Sequence, residues 1–278
     1  MKNNMLVRSQ KVFLSMMVLS VLVSCSSTNT MQTKNDGQPN SATYNVTGSL
    51  MPAIVMQAGL NDDQTVWSKV APALSKDFTV VTFDRPGHAN NAPTNAPRDA
   101  CTIATEQKAL LQSLKIKPPY LLVGHSLGGL YQYAFAKLYP ADVAGMVLVD
   151  PTPPNHWERM QQEAPQAAMI IKSLRLIAFS RTDRNEFDAQ SNCLERLDFN
   201  HALNVPTKVL VAGRFTGAGE KGDFEKMVKQ SRLQWLALTN AAKLDVIWDS
   251  GHYIQKESPD DVISAVKLVG AEARKKEK

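Results

Sequence analysis

The sequence predicts an α/β domain: a mostly parallel sheet covered by helices on both faces, with a helical insertion between two of its strands. Three observations carry this. Short runs rich in Val, Ile and Leu recur along the chain, helix-like segments fall between them, and one long stretch, 151–205, holds no strand-like run at all. With 278 residues and 44% hydrophobic content there is enough apolar surface for a large single core.

The strand candidates, in order, are AIVMQAG (53–59), FTVVTFD (78–84), YLLVGH (120–125), AGMVLVD (144–150), TKVLVAG (207–213) and KLDVIWDS (243–250). Consecutive rather than alternating apolar residues mean that both faces of each strand are buried, which is how parallel strands read. Helices are predicted at 64–75, 99–116, 127–139, 220–239 and 259–274, giving the strand–helix alternation of a covered parallel sheet. In the exception, 151–205, Pro-rich and helical material such as HWERMQQEAPQAAMIIKSLRLIAF reads as a lid over one edge of that sheet. No internal repeat is present.

Ahead of the domain, residues 1–24 have a basic start and then an apolar run from Val12 to Val23. That is short for a membrane span and suits the core of a secretory signal. The run ends in LVSC, which resembles the bacterial lipobox; the resemblance makes Cys25 the lipidated first residue of the mature protein, where an ordinary secretory signal would leave it incidental. Residues 25–49, polar and rich in Ser, Thr and Asn, read as a flexible tether to a domain spanning 50–278. By the same resemblance, Ser26 after the cysteine points to the outer membrane of a diderm cell envelope, with the domain facing the periplasm.

The formal charge of +5 includes Lys2, Arg8 and Lys11 of that signal; without them 28 basic residues face 26 acidic ones. Such a balance excludes a nucleic-acid partner, and the terminal RKKEK reads as a solvated helix end. Two cysteines remain, Cys101 and Cys193. A disulfide to the insertion and two buried free thiols are both compatible with the sequence, because spacing alone does not bring two backbones within bonding distance.

The chemistry concentrates at VGHSLGG (123–129). Ser126 sits in G-x-S-x-G between a predicted strand and a predicted helix. A sharp turn there exposes the serine hydroxyl and aims the amide-rich start of the helix at any oxygen that gains negative charge beside it. His252, in SGH after the last strand candidate, falls at the same carboxyl edge of the sheet, where ligands gather in such folds.

From about residue 50 to 270 the chain resembles the α/β-hydrolase fold family. QAGLNDDQTVW is similar to the family's oxyanion loop, FDRPGH to its strand-then-turn segment, VGHSLGG to its nucleophile elbow and SGHYIQKESPDDV to its histidine loop. The resemblance implies an α/β-hydrolase fold with a helical lid, Ser126 as nucleophile and His252 as general base. It also implies backbone oxyanion donors at Leu127 and Leu60, although Gln57-Ala58-Gly59 departs from the commoner His-Gly pattern. The acid departs further. The family's usual position follows TKVLVAGR, but Phe215 to Gly219 carry no carboxylate before Glu220 and Asp223. Asp150, ending the strand after the elbow helix, occupies an alternative position used by some members; the competing reading is a turn aspartate before Pro151.

Among the other histidines, His125 packs in the elbow, His88 lines the mouth of the site, and His156 and His201 lie exposed in or near the lid. No metal-ligand spacing and no phosphate-binding glycine loop occurs, so neither metal nor cofactor is expected. The resulting expectation is a serine hydrolase acting through an acyl-enzyme on a small carboxylic ester with an apolar part. Epoxide and haloalkane hydrolysis are disfavoured, since those relatives place Asp where this chain has Ser126. Amide or carbon–carbon hydrolysis on the same triad stays open, as does a non-catalytic, membrane-tethered binding protein on a hydrolase fold.

Overall fold

Each of the six apolar runs forms a strand. The computed structural model describes residues 31–32, 43–217 and 219–276. In chain order the elements are β1 (Met31–Gln32), β2 (Tyr44–Thr47), β3 (Ala53–Gln57), α1 (Ala71–Leu74), β4 (Val80–Phe83), α2 (Ala100–Ser113), β5 (Tyr120–His125), α3 (Leu127–Leu138) and β6 (Val143–Val149). Then come α4 (His156–Glu163), α5 (Pro165–Ala178), α6 (Arg181–Ala189), β7 (Thr207–Ala212), α7 (Asp223–Ser231), α8 (Gln234–Thr239), β8 (Leu244–Ile247), α9 (Ile254–Glu257) and α10 (Pro259–Lys276).

The sheet order is β1-β2-β4-β3-β5-β6-β7-β8, parallel from β4 through to β8 and antiparallel only where β1 and β2 join. Side chains alternate between two cores. Val55, Leu122 and Leu148 face a cluster built with α2, α3 and α8, while Ile54, Leu121, Val123 and Val147 face one built with α1 and α10. Every residue of β3, β4 and β5 is buried, which is why those strands read as unbroken apolar runs.

Two expectations are corrected. Residues 31–32 and 44–47 belong to the sheet, not to a flexible tether: β1 pairs with β2 at Met31↔Val46 and Gln32↔Asn45, and β2 pairs with β4 from Tyr44↔Phe83 to Thr47↔Val80. Just before it, the Thr43 N–H and hydroxyl both donate to the Asn91 side-chain oxygen, at 3.0 and 2.6 Å. β2 lies next to the end of the sheet, with only the two-residue β1 outside it and its own residues half-buried, so ladder hydrogen bonds hold it and YNVT carries little hydrophobic signal. The predicted helix 220–239 is two helices, α7 and α8, with the break at Arg232 and Leu233; Arg232 Nη1 donates to the Ala212 carbonyl at 2.9 Å. The signal segment 1–24, Cys25 and most of the tether lie outside the described residues. Among the described residues no helix is long and apolar enough to cross a membrane.

The insertion between β6 and β7 is helical, as its sequence suggests. It has its own small core of Met160, Ala164, Ala167 and Ala168 against Met227 of α7. A Cys101–Cys193 disulfide, with Cα atoms 6.0 Å apart, ties its last stretch to the start of α2 and settles the question the cysteines left open.

Candidate active site

Ser126 stands between the last residue of β5 and the first of α3, with φ 53° and ψ −125°, a backbone conformation that a side chain adopts only when its surroundings enforce it. The glycines around it explain how. A Cβ on Gly124 would lie 2.4 Å from the Gly128 carbonyl oxygen, and one on Gly128 would lie 2.4 Å from that of Gln57. G-x-S-x-G thus permits the helix start to press against β3 and β5. Hydrogen bonds then hold the turn to the exit of β6: Ser126 N–H donates to the Val149 carbonyl, and Thr152 N–H donates to that of Ser126, both at 3.0 Å.

Asp150 follows β6 directly, at φ 41°. Its N–H donates to the Leu210 carbonyl at 2.8 Å, and its Oδ1 accepts from the Ala212 N–H at 2.9 Å, so β7 holds both its backbone and one carboxylate oxygen. Its Oδ2 lies 2.7 Å from His252 Nδ1. With the carboxylate ionised, Nδ1 carries the proton and Nε2 is left as a base. His125 Nε2 in turn lies 3.0 Å from the His252 carbonyl and donates to it, and the two rings pack at 4.7 Å. Burial is the largest single influence on Asp150 and opposes its charge, but the His252 hydrogen bond and charge and the Ala212 N–H together outweigh it and hold the carboxyl below its ordinary pKa. Burial likewise works against protonated His252; the Asp150 hydrogen bond and charge prevail and raise the imidazole above its ordinary value.

Ser126, Asp150, His252, Leu60 and Leu127 all border one cavity of about 270 Å³. Its upper wall is apolar, with Met160, Ile171 and Phe179 from the insertion. Among the described residues, the Leu60 and Leu127 N–H groups donate to no protein acceptor, and both residues border the cavity. Glu220 also borders the cavity, but its Oε2 accepts from the Thr216 and Gly217 N–H groups at 2.9 and 2.7 Å. It serves its own loop rather than His252. Asp223 opens α7. The structure therefore brings together Ser126, His252 and Asp150, and leaves Glu220 and Asp223 outside that set.

Two histidines sit elsewhere than the sequence suggested. His156 lines the cavity, where burial depresses its pKa to about 4 and keeps it neutral. His88 is buried, 5% exposed, in a charged cluster that sequence reasoning missed. Glu186 of α6, fully buried, accepts from Arg85 Nε and Nη2 at 3.0 and 2.9 Å and from Arg98 Nη2 at 3.2 Å, with His88 Nε2 at 3.0 Å. Burial penalises this carboxylate, yet the Arg85 charge and the His88 contact pull its pKa far down. The same Arg85 donates to the Ala58 and Gly59 carbonyls, each at 2.8 Å, and so braces the turn that presents Leu60. The only signal in the sequence was Arg85 in FDRPGH; its partner is 101 residues away.

Among the described residues, the one group of donors close enough to share a metal is Asp99, Cys101 and Cys193, and the disulfide withdraws both thiols from it.

A parallel sheet whose carboxyl edge presents a strained serine beside a histidine–aspartate pair under a helical cover is the architecture of a hydrolase. A family model described as the alpha/beta hydrolase fold matches residues 52–169. The uncharacterized protein YqjL of Bacillus subtilis is 33% identical over 233 residues, covering 79% of this chain and 83% of its own length. The chain belongs to the α/β-hydrolase fold family. A monoacylglycerol lipase of Homo sapiens is 34% identical over 104 residues, 36% of this chain and 30% of that protein. Among solved structures, an esterase from Thermogutta terrifontis has a TM-score of 0.61 at 20% identity, covering 88% of this chain and 97% of its own. The epoxide hydrolase CorEH has a TM-score of 0.62 at 19% identity, covering 82% and 94%. These structural likenesses concern the fold.

Proposed function

We propose that the protein is a serine hydrolase that cleaves a carboxylic ester through an acyl-enzyme intermediate. His252 Nε2 takes the Ser126 proton as Oγ attacks the ester carbonyl, and the oxygen that gains charge is received by the Leu127 and Leu60 N–H groups. Collapse of that intermediate expels the alcohol, which leaves with the proton from His252. Water then adds by the same route and releases the carboxylic acid. Asp150 holds the imidazole in the required tautomer and stabilises its charged form.

The observation that carries this reading is the 2.7 Å contact of His252 Nδ1 with Asp150 on the wall of the cavity that Ser126 also borders. The apolar upper wall suits an acyl or alkyl group, and the lipase and esterase among the similar proteins agree with an ester by name. A fluorophosphonate probe should label the wild type and not Ser126→Ala. A panel of esters and matched amides should show turnover of the esters; labelling absent from folded wild-type protein would refute the catalytic reading, and preferential amide turnover the ester.

We place the mature protein in the cell envelope, anchored through lipidated Cys25 and, with Ser26 following it, in the outer membrane facing the periplasm. LVSC after a short apolar core supports this, and the Cys101–Cys193 disulfide suits an oxidising compartment. In a diderm host, labelled palmitate should enter the wild type and not Cys25→Ser.

A further inference from the structure

The insertion covers the cavity with one face of α5 and leaves the other bare. Ala167 and Ala168 pack inward, and Ile171 reaches the cavity wall. Outward, Met169, Ile170, Leu174, Leu176 and Ile177 are 65, 38, 43, 71 and 83% exposed. A spacing of seven puts Met169 with Leu176, and spacings of four and three put Ile170 with Leu174 and Ile177, on adjoining rows of one helix surface. Among the described residues the other exposed large apolar side chains are Leu50 and Met51, Leu138, Leu233, and Trp248 with Leu268 on one shallow groove beside β8. A patch of this size on a water-facing helix marks a contact surface.

The patch lies at the rim of the active-site cavity. Phe179, just past the end of α5, lines that cavity, and so do Phe215 and Glu220 of the loop opposite. Ile170 bridges the two sides: its Cδ1 is 2.8 Å from where a Cβ on Gly219 would stand.

From this juxtaposition we infer that the outer face of α5 docks on an anionic phospholipid bilayer and that the cavity takes an amphiphilic acyl ester from it. The ester chemistry rests on the hydrolase reading above; the docking does not. Charge favours a lipid surface over a second copy of the chain. α5 carries Lys172 and Arg175 and no acidic residue, and α6 opens with Arg181. Arg175 pairs with Asp188, while Lys172 and Arg181 are exposed and, among the described residues, in no salt bridge. A bare apolar helix face edged by cations is the pattern of an interfacial helix on anionic headgroups.

The test labels the full chain at Ile177→Cys with a polarity-sensitive fluorophore and adds vesicles of phosphatidylethanolamine and phosphatidylglycerol brominated in their acyl chains. Emission from position 177 should shift to the blue and be quenched, while the same label at Gln161→Cys on α4 stays unchanged. An unquenched label at 177 overturns the inference, as does a blue shift that needs no vesicles and grows with protein concentration, which would mean a second copy covers the face. In parallel, the triple variant Met169→Ser, Leu176→Ser, Ile177→Ser should hydrolyse a soluble short-chain ester within about twofold of wild type, while its KM for a long-chain acylglycerol ester in those vesicles rises about tenfold or more. An unchanged KM on vesicles overturns the inference. Should the triple variant fail to fold, the soluble assay reports it and the label at 177 decides. A quenched label in wild-type protein that turns over no ester would sink the ester reading and leave the docking intact; turnover without quenching would do the reverse.

Discussion

The sheet and the insertion above it are held by different forces. Strands β3 to β6 are packed from both faces by large apolar side chains, with Ile54, Val55, Leu122 and Val123 wholly buried. The insertion has only four buried residues in its own apolar core, and α5 carries five large apolar side chains exposed. Its attachments are a buried ion cluster centred on Glu186, one disulfide, and Leu194, Leu197 and Leu203 packed into the sheet's core. What differs is how each part answers substitution: the sheet resists because many contacts share the load, whereas the insertion depends on a few groups of high individual weight.

The largest expected effect tests the sheet side. Ser126, Asp150 and His252 all stand on its carboxyl edge, and Asp150→Asn should preserve the fold while lowering kcat by about 10⁴. The pH profile sharpens this. His252 must be neutral to accept a proton, and its pKa is raised above 6.5, so kcat/KM should fall as pH drops through a limb above 6.5. In Asp150→Asn that limb should move down, because the group that favours the charged imidazole is gone. A normal rate in Asp150→Asn with collapse in Glu220→Gln would relocate the acid.

Next in size is Glu186→Ala, which strands Arg85 and Arg98 without their buried carboxylate and should cost about 3–5 kcal/mol by denaturant unfolding. It should also slow labelling by a fluorophosphonate, since Arg85 braces the Ala58–Gly59 turn. A loss under 1 kcal/mol would show that the insertion does not depend on this cluster and would break the comparison. Replacing both Cys101 and Cys193 by serine should cost about 2–4 kcal/mol, with limited proteolysis opening the chain in 179–205 before the sheet. The smallest effect belongs to the bare face: Ile177→Ser should change stability by less than about 0.5 kcal/mol, measured in the absence of lipid.

Legibility in the sequence follows the same division. β5 reads correctly from YLLVGH because double burial writes an unbroken apolar run, and the sharp turn at Ser126 was legible because the glycines needed for close approach are its near neighbours in the chain. β2 does not, since YNVT is stabilised by pairing with β4 and its residues are only half-buried. The partnership of Arg85 with Glu186 joins segments 101 residues apart, and no local pattern announces it. The disulfide was open for the same reason. His88 and His156 misled because a histidine's surroundings, and not its neighbours in sequence, decide whether it faces water.

One feature of the acid reaches beyond catalysis. Asp150 stands at the end of β6, and β7 supplies only backbone groups to it, the Leu210 carbonyl and the Ala212 N–H. On the proposed triad, the described residues of the segment that leaves β7, 213–222, place no side chain in hydrogen-bonding contact with His252. That segment nevertheless supplies Arg214, Phe215 and Glu220 to the cavity. The proposed acyl-enzyme route would therefore keep its hydrogen-bonded groups while the cavity wall varies: randomising Phe215 should change which acyl groups are turned over and leave the Asp150–His252 contact in place.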